Sequence, residues 1–106
     1  MAEAVIKAKK LTEEEILNKV IKFLHLTKYH NDVIQPLLED VKFYLRDAGV
    51  SDTVILSTAS VGAFLRGVSD LWNYGSGGTS LSPYFKEKVI QLSTSTVKVE
   101  EESANG

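Results

Sequence analysis

The stretch TVILSTASVGAFLRGVSDLWN, residues 53–73, decides how this chain of 106 residues folds. Arg66 and Asp70 are its only charged residues, and its apolar side chains point in nearly every direction around a helix. A helix of this kind has to be covered on several sides. We therefore predict a long central helix that is covered by the other helices of the chain or by neighbouring copies of it.

The same stretch is rich in small residues, which lower helix propensity. We interpret them as positions where another backbone approaches closely, and we expect the large apolar residues that follow to form the structural centre. The β-branched residues leave a strand as the alternative for residues 53–58. The small residues are Ser57, Ala59, Ser60, Gly62, Ala63 and Gly67, and the large ones are Phe64, Leu65, Val68, Leu71 and Trp72.

Two amphipathic helices are predicted before this stretch. Thr12 and Glu15 form a capping box that starts the first, over residues 13–25. The second ends at Gly49, and Pro36 leaves two starts open because proline has no amide hydrogen: a straight helix from Gln35 or a bent one from Asp32. We favour the bent helix. Its apolar stripe is Ile34, Leu37, Leu38, Val41, Leu45 and Ala48.

A loop rich in glycine and serine, residues 74–82, precedes the last predicted helix. Ser82 is a suitable cap and Pro83 a suitable first residue for that helix, which extends to residue 93. Residues 94–99 are β-branched and alternating, which predicts a tail that is disordered alone or becomes a strand only against a partner.

The predicted fold is all-α, a small bundle of about four helices with a glycine-rich loop before the last one and with flexible or partner-ordered termini. Its parts are an N-terminal arm (residues 1–11), a helical domain (residues 12–93) and a C-terminal tail (residues 94–106).

The composition excludes several classes of protein. A net charge of -2 argues against a protein whose main role is to neutralise phosphates. Without cysteine, the chain forms no disulfide and no thiolate zinc site. No apolar run has the length of a membrane span, and residues 1–11 lack the pattern of a secretion signal, so we expect a soluble intracellular protein with no membrane partner.

The chain contains no recognisable pattern of catalytic or ligand-binding residues. His25 and His30 are five residues apart without a further ligand beside them, and the loop glycines do not have the spacing of a phosphate-binding loop. We therefore expect no metal, no cofactor and no catalytic residue, and we do not expect an enzyme.

Four aromatic residues bracket the glycine-rich loop. They form either a surface on which bases stack or a cluster that holds the loop against the core, and we favour the cluster because no arginines are interleaved with them. These residues are Trp72, Tyr74, Tyr84 and Phe85.

Two stretches carry a resemblance to a known family. NDVIQPLLEDVKFYLRDAGV, residues 31–50, and RGVSDLWNYGSGGTSLSPYFKEKVIQLS, residues 66–93, resemble the head-tail connector proteins of tailed bacteriophages. The most distinctive residues within them are Gly67-Val68, Asp70 to Asn73 and Ser82 to Phe85.

The resemblance implies a structural, non-enzymatic protein of the phage neck, made in the cytoplasm of the host bacterium. Such a protein forms a dodecamer-like ring of identical copies under the portal protein. The ring extends the DNA channel, lets DNA pass without sequence-specific binding, and docks the next neck or tail protein.

With this function as the hypothesis, we predict a set of residues at the interfaces with other chains. Arg66 and Asp70 are expected as exposed charges of the subunit interface, and the loop and the tail are expected to make contacts between chains. The basic residues 7–10 and the acidic residues 100–102 are either solvated ends or a docking pair between subunits. The predicted interface residues are Arg66, Asp70, Trp72, Tyr74, Gly75, Gly77, Gly78, Val97, Val99 and Glu100.

Two other functions remain open at this stage. A helical DNA-binding regulator would place the central or the last helix in the major groove, where the last helix offers Lys86, Lys88 and Gln91 with Glu87 between them. A small protein-interaction factor directed at other proteins would act as a monomer or dimer and would need no ring.

Overall fold

The computed structural model describes residues 5–74 and 81–100. Over this part the chain is mostly helical, with five α-helices and one two-stranded parallel sheet. The elements in chain order are β1 (Val5–Lys9), α1 (Glu13–Phe23), α2 (Asn31–Asp47), α3 (Asp52–Ile55), α4 (Val61–Tyr74), α5 (Pro83–Thr94) and β2 (Thr96–Glu100).

The helix ends follow the local signals of the sequence. The capping box of Thr12 and Glu15 is present at the start of α1, and Ser82 caps α5 by accepting a hydrogen bond from the amide of Phe85. The helix α2 begins at Asn31 and contains Pro36, so the early start is confirmed. It ends at Asp47, and Gly49 follows two residues later with a φ of 96°, in the left-handed region that glycine enters at little cost.

The predicted single helix over residues 53–73 is wrong, because two serine side chains interrupt it. The hydroxyl of Ser57 donates to the carbonyl of Val54 and accepts from the amide of Ala59, while the hydroxyl of Ser60 donates to the carbonyl of Ile55. Serine hydroxyls that bond to nearby backbone groups compete with the helical pattern. The helix α3 therefore ends at Ile55, a short 3-10 turn follows, and the chain continues as α4. The strand considered for residues 53–58 is not formed; in its place Ser57 makes one isolated β-bridge to Lys10.

This interruption lets a single chain cover most of the apolar segment. Ile55, Phe64 and Val68 are fully buried, while Leu65, Leu71 and Trp72 lie half-buried at the edge of the core. The helices α1, α2 and α5 all pack against α4. Of the two alternatives, the helices of the same chain therefore cover most of this segment, and the fully buried part of it is smaller than predicted.

The two ends of the chain form a sheet, which corrects the all-α prediction. β1 and β2 pair in parallel, with Val5 beside Thr96 and Lys9 beside Glu100. Ala8 is buried beside Val99, and the strands pack against α3 and the 3-10 turn of Thr58–Ser60. The arm and the tail were predicted to be loose or to need a partner, but Val5–Lys9 of the arm and Thr96–Glu100 of the tail pair with each other within one chain.

Gly67 lies where three helices meet. A Cβ atom at this position would be 2.8 Å from Cγ2 of Val41 in α2 and 2.7 Å from Cε1 of Phe85 in α5. Both distances are shorter than real carbon contacts, so glycine is the residue that lets α4 approach its neighbours this closely. The predicted close approach is real at Gly67, but side chains rather than a backbone fill the space.

We predict that Gly67→Ala lowers the free energy of unfolding by about 1 to 3 kcal/mol, because the added methyl group forces Val41 and Phe85 to move within a packed core. Gly62→Ala is the matched control in the same helix, since a Cβ there meets only the far end of Lys88 at 3.7 Å. The control should be neutral or slightly stabilising. Urea denaturation measures both changes, and equal effects would contradict the packing described for Gly67.

Candidate functional site

Seven of the ten predicted interface residues lie in α4 or in the connection from α4 to α5. Tyr74 is the last residue of α4. Its side chain lies outside the part of the chain that the structure describes, and so do Gly75, Gly77 and Gly78. Four of the predicted residues in this region can therefore not be placed, and the geometry rests on Arg66, Asp70 and Trp72.

Asp70 is a structural residue of the protomer rather than an exposed charge. It is 4% exposed, and its Oδ2 accepts a hydrogen bond of 3.0 Å from the backbone amide of Ser82. This hydrogen bond links the penultimate turn of α4 to Ser82, which directly precedes α5, so it connects the two ends of the loop. The prediction that Asp70 is an exposed charge is therefore wrong, because its carboxylate is turned into the protomer and accepts this hydrogen bond.

Arg66 lies on the surface, as predicted, next to an aromatic ring. Its guanidinium is 5.0 Å from the ring centre of Tyr84, and Nζ of Lys88 is 5.5 Å from the same centre. One Nη atom of Arg66 is 4.0 Å from Asp70. The sequence did not single out Lys88 for this cluster, although its position four residues after Tyr84 in a helix places the two side chains together.

The aromatic residues around the loop divide into two groups. Phe85 is fully buried and packs edge-on against Tyr44, with 5.3 Å between ring centres. Trp72 is half-buried and meets His30 edge-on at 6.3 Å. Both support the cluster that holds the connection against the core, whereas Tyr84 is exposed with two cations over its ring.

The predicted interface residues of the tail are used within the chain. Val97 and Val99 are half-buried on the face of β2 that packs towards the helices, while Glu100 is exposed. The carbonyl of Glu100 accepts a hydrogen bond of 3.2 Å from the amide of Lys10. The partner strand of this segment in the structure is β1 of the same chain.

Two exposed apolar surfaces were missed by the sequence analysis. The first is a groove of about 320 Å³ between α1 and α4, which we call the basic groove. Phe23, the last residue of α1, is 53% exposed at its edge. The groove is lined by Lys19, Lys22, Phe23, Val61 and Leu65.

The second surface is the outer face of α2, which we call the acidic face. Phe43 is 67% exposed there, and Val33 is also exposed. Their positions off the stripe of Ile34, Leu38, Val41 and Leu45 were the signal that could have identified them, since a helix buries one stripe only. The acidic face comprises Asp32, Val33, Asp40, Phe43 and Asp47, all of which are exposed.

Neither a metal site, a membrane span nor a known relative points to a function for this chain. Among residues 5–74 and 81–100, no three histidine, aspartate or glutamate side chains are grouped so that they would hold a metal ion. None of the helices in the described ranges has the length and apolar character needed to cross a membrane. No family model, curated protein or solved structure matches the chain.

Lys42 links α1 to α2 by a part-buried ion pair. Its ammonium group bonds to Glu13 of α1 and lies 3.4 Å from Glu39 of its own helix. Burial lowers the pKa of Lys42, but the hydrogen bond and charge of Glu13, aided by Glu39, outweigh that effect and raise the pKa above its ordinary value of 10.5.

We predict that this pair makes stability depend on pH in the alkaline range. A raised pKa in the folded state contributes stability that is fully present below pH 10.5 and is lost as the pH rises through the pKa of the folded protein. Lys42→Met should remove that loss, whereas Lys22→Met, at an exposed lysine with no ion pair among the described residues, should keep it. Urea denaturation from about pH 8 to about pH 12 tests this, and parallel curves for the two variants would contradict it.

We also predict that Asp70→Ala lowers the free energy of unfolding by about 1 to 3 kcal/mol, because it leaves the amide of Ser82 without its acceptor. Asp70→Asn is the control, since its amide oxygen can still accept that hydrogen bond, and it should cost clearly less. Urea denaturation gives the energies, and the exchange rate of the Ser82 amide reports the bond itself. Equal losses in both variants, with no faster exchange at Ser82 in the alanine variant, would show that the bond does not stabilise the connection.

Proposed function

We propose that this chain is a structural adaptor of a tailed-phage neck, which forms a ring under the portal protein, extends the DNA channel and docks the next neck or tail protein. The proposal begins from the resemblance of residues 31–50 and 66–93 to head-tail connector proteins. These two stretches fold into α2 and into most of α4 with α5, which meet at Gly67. The stretches that carry the resemblance thus belong to one packed unit.

The observation that carries the proposal is the pair of exposed apolar surfaces. Phe23 in the basic groove and Phe43 on the acidic face are each more than half exposed, although the core of the chain is well packed. Exposed aromatic residues beside charged ones are typical of protein contacts. A protein with two such surfaces on different sides is suited to contact two neighbours, as a ring subunit does.

The acidic character of the chain supports a role in a channel. The net charge is -2, and a channel through which DNA moves must not bind phosphates strongly. The alternative of a DNA-binding regulator is favoured by one observation, the cluster of Arg66 and Lys88 around Tyr84. It is weakened by Glu87, which lies in the same shallow depression as Tyr84 and Lys88.

The location of the protein in assembled particles tests this function. We predict that particles made with a tagged copy of the chain show the tag as a ring directly below the portal in cryo-electron microscopy, and that particles made without the chain contain DNA-filled heads that lack tails. A chain that is absent from purified particles would contradict the proposal. If that free chain also shifted a DNA band with a strong dependence on salt, the regulator would replace it.

A further inference from the structure

The basic groove carries positive charge that no ion pair among the described residues neutralises. Lys19 and Lys22 lie along its α1 side, and neither forms an ion pair with any residue in the described ranges. Phe23, Val61 and Leu65 give the groove an apolar floor and edge. Its occupant should therefore combine an apolar side chain with acidic groups on either side.

The acidic face of α2 has the complementary composition. Phe43 stands out from the helix, and Asp40 and Asp47 lie three residues before and four residues after it, on the same side. Neither aspartate takes part in an ion pair within the part of the chain that the structure describes. The neighbouring Arg46 is already engaged with Asp52 at 2.9 Å and does not neutralise them.

The two surfaces lie on opposite sides of the protomer. The helices α1, α2 and α4 each pack against the other two, so they form a triangle in cross-section. The basic groove lies along the side between α1 and α4, and the acidic face lies at the opposite corner, because the buried stripe of α2 is turned inwards. One protomer cannot bring the two together, but two protomers can.

We infer that the acidic face of one copy docks into the basic groove of the next, with Phe43 against Phe23, Val61 and Leu65 and with Asp40 and Asp47 near Lys19 and Lys22. Because the two surfaces differ, the contact is heterologous, and repetition of it gives a closed ring or a filament. As an account of how the ring is built, this inference rests on the proposed function. As a contact between copies of this chain, it can be tested with the purified protein alone.

Reversing the charges of each surface tests the contact. The groove variant Lys19→Glu/Lys22→Glu has two acidic surfaces, and the face variant Asp40→Lys/Asp47→Lys has two basic ones. Each alone should associate at least about tenfold more weakly than the wild type, because like charges then oppose each other. An equal mixture should assemble again, because each contact in an alternating ring then joins opposite charges.

Sedimentation velocity at low salt, with loading concentrations up to about 1 mM, measures the assembly. Lys86→Glu/Lys98→Glu is the matched control for the groove variant, since it changes the net charge equally at exposed lysines that belong to neither surface. It should assemble as the wild type does. Phe43→Ser removes the apolar part of the contact and should also weaken association, and circular dichroism checks that every variant remains folded.

The outcomes separate this inference from the proposed function. Assembly of the wild type, loss of it in both charge variants and recovery in the mixture would support the contact, whether or not the chain is found in phage particles. A wild type that stays monomeric at about 1 mM would overturn it, and so would variants that assemble like the wild type or a mixture that does not recover. A chain that is located under the portal but fails this test would keep the proposed function and lose this contact.

Discussion

The packing at Gly67 is the constraint on which the rest of the structure depends. The missing side chain lets Val41 of α2 and Phe85 of α5 approach the backbone of α4 from two directions. This contact fixes α5 relative to α4, and Asp70 then reaches the amide of Ser82 across the start of α5. Since β2 follows α5 directly, the position of α5 also determines where the tail meets β1. Gly67 thus links the packing of the helices to the pairing of β1 with β2.

The parts of the fold that depend on residues close together in the sequence could be predicted from it. The capping box at Thr12, the serine cap at Ser82 and the glycine at position 49 fix helix ends through local hydrogen bonds and backbone angles, and the structure has each of them. The break after Ile55 was missed, although its cause is also local. The sequence analysis treats Ser57 and Ser60 as small residues that allow close packing. In the structure their hydroxyls form hydrogen bonds with the backbone and end the helix.

The sheet and the two exposed apolar surfaces could not be predicted in the same way. β1 and β2 come from opposite ends of the chain, and a parallel pair has no turn between its strands to reveal it. A charged residue such as Asp70 is expected on the surface, but its carboxylate accepts a hydrogen bond from the amide of Ser82, twelve residues later in the sequence. Phe23 and Phe43 are the converse case, because they are apolar and yet lie on the surface. Burial depends on which face of a helix packs against another element. The sequence reveals that face only where its apolar residues form a continuous stripe.

If the Gly67 junction is the centre of stability, the three helices that meet there should open together. Native-state hydrogen exchange of the whole chain measures this most directly, because it gives an opening free energy for each amide. We predict that the slowest amides of α2, α4 and α5 share one opening free energy, equal to that of global unfolding. Amides in α5 that exchange through a much cheaper opening, while α2 and α4 stay protected, would contradict the account.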